Sequence, residues 1–299
     1  RFIEWTLQSQ DETGNFGPLS TKNQEQWSRY AMLKVLIQYE EITGDKRVIP
    51  FAMNYLKYIA ELSETVKIRE WSEARIPDLL YVGKWIYDKT KNPEVLKLME
   101  RIDKHSIDWC DYLEELPFPR PASYYINWKR FEEQTSKYSL EEMAPYHKTH
   151  IVNVTMGFKH PAVRSTAIEG IQEMVRKHGV VSGCINGDEH LAGNNPVQGS
   201  ELCSVVEYMF SLQTLIEAFG NTEFGDQMER LAYNALPATI TEDFMGHQYL
   251  QQANQIIVDD SERPWFNNSK ESTIFGLEPN FGCCTANMHQ GWPKFVNSL

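Results

Sequence analysis

Between residues 27 and 113 the apolar residues recur at helical spacing, in paired runs joined by short polar turns, and this most constrains the fold. Residues 27–43 carry Trp27, Tyr30, Ala31, Leu33, Val35, Leu36, Ile37 and Tyr39. Residues 49–62 repeat the pattern with Ile49, Ala52, Met53, Leu56 and Ile59. Three- and four-residue spacing puts these side chains on one helix face, which must be buried against a neighbour. Between the two runs, Thr43-Gly44-Asp45 reads as a C-cap and turn. A second pair covers 77–90 and 94–113, joined through Thr90-Lys91-Asn92-Pro93, and a third covers 203–219 and 223–236, turning at Gly220-Asn221. Helical hairpins recurring every few dozen residues predict an all-α solenoid or a closed toroid.

The rest is less regular. Pro117, Pro119 and Pro121 predict a loop over 114–127. Gly179, Gly183, Gly187, Gly193, Pro196 and Gly199 predict a long loop over 179–200, and loops of that length are often functional. Short strands are expected within 244–258, through Tyr249, Ile256, Ile257 and Val258. No linker divides the chain, so residues 1–299 read as one domain. A net charge of −12, with Lys and Arg scattered, argues against nucleic acid and anionic membrane as partners. No run of 18 apolar residues is present, so no membrane span is expected. The eight Trp, fourteen Tyr and fourteen Phe mostly fill the core, although such rings also stack on the C–H faces of sugars.

The chemistry concentrates in the cysteines. There are five: Cys110, Cys184, Cys203, Cys283 and Cys284. An odd count in a chain this long argues against a disulfide scaffold. The vicinal pair is poorly shaped to bridge to itself. Glu201 and Cys203 stand two apart, so they share a side of an extended segment or first turn rather than a helix face. Cys283 and Cys284 follow Gly282, which permits a sharp turn. Together these residues offer one carboxylate and three sulfurs, a set that a tetrahedral zinc ion accepts. Ordinary buried thiols, or a purely structural zinc, remain open on the residues alone.

Three stretches carry a family resemblance: Gly187-Asp188-Glu189-His190, Ser200-Glu201-Leu202-Cys203-Ser204-Val205-Val206-Glu207-Tyr208, and Gly282-Cys283-Cys284-Thr285-Ala286-Asn287. With Asp78-Leu79-Leu80-Tyr81, His150-Ile151-Val152-Asn153-Val154 and Glu229-Arg230-Leu231-Ala232-Tyr233-Asn234, they resemble glycoside hydrolase family 127, the β-L-arabinofuranosidase-like proteins. The resemblance implies an (α/α)6 barrel, a six-hairpin toroid, here as a fragment lacking N-terminal helices and the C-terminal β-sandwich domains. It implies Zn2+ held by Glu201, Cys203, Cys283 and Cys284. It also implies a retaining glycosidase with Cys283 as nucleophile and Glu189 as acid/base. His150 matches a substrate-contacting histidine; His190 and His147 are further candidates nearby, and Tyr208 and Trp292 are candidates to line a sugar pocket.

The chain departs from the family at several positions. Ala31 stands where some members carry a sugar-binding histidine. Thr285-Ala286 replaces the two prolines that many members have after the vicinal cysteines, and the loop around Glu189 is shorter. These changes leave the ligand set intact and open the choice of sugar, L-arabinofuranose or a related one. The competing reading is a non-catalytic carbohydrate-binding or scaffold toroid with a structural zinc. A barrel without its first helices would expose apolar faces, which a homodimer or the missing helices would cover. A site that needs reduced thiols suits a cytoplasmic setting better than a periplasmic or secreted one.

Overall fold

The computed structural model describes residues 1–18, 25–128, 140–164, 168–263, 265, 271–277 and 281–299. Backbone packing separates two compact units, Arg1–Asp108 and Trp109–Leu299.

The first unit is helical. Its main elements are Trp27–Thr43, Val48–Thr65, Ile76–Thr90 and Pro93–Asp103, preceded by Phe2–Gln8 and interrupted by the short Glu70–Ala74. The expected turns form with the expected chemistry. Gly44 takes φ +68°, and its N–H donates to the Glu40 carbonyl. Lys91 closes Ile76–Thr90 in the left-handed region, Asn92 caps the next helix by accepting from the Glu94 N–H, and Pro93 occupies the first turn. Ile76–Thr90 packs against both Trp27–Thr43 and Pro93–Asp103. Gly83 allows the second approach, because a Cβ there would meet Met99 Cγ at 2.6 Å. One expectation is corrected: the run 94–113 is not a single helix. It stops at Asp103 and restarts at Trp109. The N–H of Ser106 bonds the Asp103 carbonyl and its hydroxyl the Ile107 carbonyl, while the Ile107 N–H bonds Glu73. Such local bonds compete with helix continuation.

The second unit is built around Leu202–Phe219, which packs against Gly282–Asn297, Ile151–Gly157, Thr222–Arg230 and His160–Arg164. By length and composition this helix could cross a membrane, but 72% of it is buried inside the unit, as in a core helix. Tyr208 is fully buried on it, edge-on to Phe158 at 5.2 Å, so it fills the core rather than a sugar pocket. The expected loop over 179–200 contains structure. Gly187–Asp188, His190–Leu191, Gly199–Glu201 and Leu250–Gln252 form a four-stranded sheet. Gly187–Asp188 is central, antiparallel to His190–Leu191 and parallel to Gly199–Glu201, which pairs antiparallel with Leu250–Gln252. Ile256, Ile257 and Val258 are exposed and form no strand.

The core helix carries a buried ion pair: Lys159 Nζ lies 3.2 Å from Glu207 Oε2 and 3.4 Å from Ser211 Oγ, with the lysine side chain fully buried. Removing one member of such a pair strands the other charge. Lys159→Met is therefore expected to lower unfolding stability by about 3–5 kcal/mol. Lys159→Met/Glu207→Leu should regain most of that loss, read by denaturant titration of the three proteins.

Candidate functional site

The N-termini of two neighbouring helices meet at one place. Glu201 ends a strand and takes the N-cap position of Leu202–Phe219, with Cys203 in the first turn. Phe281 takes the same position for Gly282–Asn297, with Cys283 and Cys284 in its first turn. The two helices lie side by side, and Gly291 keeps them close, since a Cβ there would touch Val206 and Leu236 at 3.1 Å. One donor atom from each of Glu201, Cys203, Cys283 and Cys284 falls within 4.8 Å of all the others. The Cys203 and Cys284 sulfurs are 3.3 Å apart, and those of Cys283 and Cys284 are 3.9 Å apart. Cys203 and Cys284 are buried, whereas Cys283 is exposed. Both helices place their N-terminal, positive dipole ends at these donors, which favours anions.

The three sulfurs do not ionise alike. Hydrogen-bonding contacts with Cys203 and then Cys284 pull the Cys283 thiol down to about 3, outweighing the opposing effects of burial and of the Glu189 charge. Cys203 is pushed well above the usual thiol range by those same contacts with Cys283 and Cys284 and by burial. Cys284 is also pushed well up: its hydrogen bond with Cys203 acts downward, but its contact with Cys283 and its burial act more strongly upward. The cluster therefore favours ionisation at Cys283 over Cys203 and Cys284.

Beside this cluster stands Glu189. It occupies the corner between Gly187–Asp188 and His190–Leu191 with φ +78°, a strained conformation for a side chain other than glycine. The Ile151 N–H holds its carbonyl at 2.8 Å. His150 Nε2 lies 2.7 Å from Oε2, and the Tyr249 hydroxyl donates to Oε1 at 2.5 Å. Burial acts to raise the Glu189 carboxyl, but the hydrogen bond and charge of His150, then the Tyr249 hydroxyl, lower it to about 2. His150, Glu189 and Glu201 form a second group of donor atoms within 4.8 Å of one another, so Glu201 belongs to both clusters.

The remaining expected residues fall as follows. His190 is buried beside the site, with Nδ1 2.9 Å from Thr149 Oγ1 and its ring packed against Trp128 and Tyr146 at 4.4 and 4.6 Å. Burial, then the positive charge of His150, depresses its pKa strongly. His147 is buried nearby, its carbonyl accepting from Asn153 Nδ2. Trp292 packs with Tyr233 and Phe295, roughly 13 Å along its helix from Cys283 at 1.5 Å rise per residue. Two contributors carried no signal in the sequence. Tyr249 stacks on Phe281, with ring centroids 3.8 Å apart and 11° between planes. His247 Nε2 hydrogen-bonds Thr285 Oγ1 at 2.8 Å, pinning the turn that bears the vicinal cysteines.

A sequence profile described as the GH127 catalytic domain, β-L-arabinofuranosidase, matches residues 1–297. No curated protein matches the chain. A solved structure described as a glycoside hydrolase superposes with a TM-score of 0.62 at 15% identity, covering 97% of this chain and 50% of that one. Ara127N-Se, described as a GH127 β-L-arabinofuranosidase from Geobacillus stearothermophilus T6, superposes with a TM-score of 0.58 at 14% identity, covering 97% of this chain and 51% of its own. The chain thus spans about half the length of these structures. At such identities the likeness shows a shared fold.

The thiol pattern has a direct chemical consequence. At pH 5, ordinary cysteines are almost entirely protonated, whereas Cys283 is a thiolate and exposed. In metal-free protein, iodoacetamide at pH 5 is expected to alkylate Cys283 first, leaving Cys110, Cys184, Cys203 and Cys284 unmodified in peptide mass maps. Prior labelling of Cys203 or Cys284 would contradict this ordering.

Proposed function

The chain belongs to the GH127 β-L-arabinofuranosidase catalytic-domain family, and on that premise we propose that it is a retaining glycosidase releasing a terminal sugar, L-arabinofuranose or a close relative, with Cys283 as nucleophile and Glu189 as acid and base. The observation that carries this reading is the single exposed sulfur in an otherwise buried Cys-Cys-Cys-Glu cluster, set beside a carboxylate held by His150 and Tyr249. A purely structural metal site has no need of an accessible ligand beside a proton-transfer group.

The donor set of Glu201, Cys203, Cys283 and Cys284 suits Zn2+, since soft thiolates in a compact four-donor group select it over harder cations. Bound there, the ion would hold the sulfurs as thiolates at neutral pH and offset their charge. Cys283 then attacks the anomeric carbon, forming a C–S bond as the C–O bond to the aglycone breaks. The departing oxygen takes a proton from Glu189. Glu189 must carry a proton for this step, and His150 Nε2, 2.7 Å from its Oε2, is the group placed to exchange one with it before and after each turnover. In the second half, Glu189 removes a proton from water, which attacks the anomeric carbon and expels the Cys283 thiolate. A thiolate thus takes the place of one of the two carboxylates that retaining glycosidases ordinarily use. His150 and His190 contribute the wall against which the sugar hydroxyls are held.

An aryl β-L-arabinofuranoside tests the reading. Glu189→Gln is expected to lower kcat by about 10²–10⁴-fold, the range for loss of general acid–base catalysis, with the thermal transition retained. Cys283→Ser is expected to abolish turnover; release at the parental rate would overturn the nucleophile assignment. Elemental analysis should find one zinc per chain, lost in Cys283→Ala/Cys284→Ala.

A further inference from the structure

The segment that sends Tyr249 to Glu189 also sends Gln248 and Gln251 into a separate cavity of about 360 Å³. None of the residues placed in the catalytic site lines it. Its polar lining includes Ser182, Asn234, Gln248, Gln251 and Gln255, and Phe275 closes part of its apolar wall. Among the described residues, no Asp, Glu, Lys, Arg or His lines the cavity, so these residues offer an anion or a cation no countercharge.

A side-chain amide presents a donor and an acceptor side by side, the pattern that meets neighbouring hydroxyls of a polyol. Two of these amides are set in advance. Gln248 donates from Nε2 to the Thr273 carbonyl at 2.7 Å, and Gln251 to the Ala235 carbonyl at 2.7 Å. Their exposures are 1% and 4%, so their orientation is fixed before any ligand arrives. Each anchoring bond uses one of the four hydrogen-bonding positions of an amide. The Ala235 carbonyl is offered by an unusual feature: residues Leu231–Ala235 form a π turn inside an otherwise α-helical stretch, and the same turn places Asn234 on the cavity wall. Single π turns are rare and concentrate at functional sites. The apolar lining is open to solvent: Ile256 is fully exposed, Ile257 largely so, and Val258 and Phe275 are 40% and 36% exposed. A concave site with apolar walls and a few fixed polar groups is the usual form of a small-ligand site.

We infer that this cavity is a second carbohydrate site, which binds a neutral sugar unit through the amides of Gln248, Gln251, Gln255 and Asn234, with Phe275 against its C–H face. The choice of sugar among neutral polyols rests on the glycosidase reading; the cavity, its uncharged lining and its fixed amides do not. Its occupant is a unit of the glycan other than the one whose bond is cut at Glu189.

Arabinobiose, titrated by NMR into Glu189→Gln protein so that it is not consumed, tests this. Binding is expected in two components. Gln255→Ala and Phe275→Ala, each added separately to Glu189→Gln, should weaken one component at least tenfold and leave the other. Both residues sit at the rim of the cavity, so neither change removes a buried anchor. Galacturonate, measured beside galactose, is expected to bind at least tenfold more weakly in the component that the variants affect. A single component indifferent to both substitutions would overturn the inference. If the parent protein hydrolyses no glycoside yet one component is still lost in Gln255→Ala and Phe275→Ala, the glycosidase reading fails and the cavity site stands.

Discussion

Tyr249 holds the elements of the candidate site in register. Its hydroxyl donates to Glu189, its ring stacks on Phe281, and its carbonyl accepts the Leu202 N–H at the start of the core helix. One fully buried residue therefore touches the carboxylate and the cap of the vicinal-cysteine helix through its side chain, and the first turn of the helix bearing Cys203 through its backbone. A buried phenol must find a partner or cost free energy. Here the partner is Glu189, so the same hydrogen bond that satisfies the tyrosine fixes the carboxylate.

Charge explains why these pieces need one another. Glu189, Glu201 and three thiols crowd into a largely buried space, where like charges raise each other's cost of ionisation. His150 answers the Glu189 charge directly, and two helix N-termini answer the cysteine cluster. Within the cluster the contacts with Cys203 and Cys284 draw Cys283 towards the thiolate, while Cys203 and Cys284 are pushed up. Three thiolates together would require a further cation at the centre of the group, and the donor set is the one that zinc prefers.

The helical pairs were legible because period and punctuation agree. Gly44, Lys91, Asn92 and Pro93 each take the turn role their chemistry suits. The Glu-x-Cys and Cys-Cys pairs were legible as a donor set because vicinal cysteines have few other uses. What escaped is what short range does not encode. Strands of two or three residues carry no periodic signal, so Gly187–Asp188 and His190–Leu191 read as loop. The break before Trp109 arises from local bonds at Ser106 and Ile107 that apolar spacing cannot reveal. Tyr208 lay in a family-like stretch and suggested a pocket, but it faces Phe158 in the core. Tyr249 looked like one strand residue among several, since its importance comes from residues 60 positions before it and beyond.

Thr285 ties the vicinal-cysteine turn to the rest of the site. Its N–H continues the first helical turn by bonding the Phe281 carbonyl, and its side chain offers a hydroxyl. In this chain the hydroxyl meets the buried His247 imidazole at 2.8 Å, and the His247 backbone exchanges two hydrogen bonds with Gly276. The turn bearing Cys283 and Cys284 is thereby tied to the segment that continues into Tyr249, Gln248 standing between them. The restraint on the turn is a tertiary one, so the position of Cys283 depends on the same stretch of chain that positions the Glu189 carboxylate.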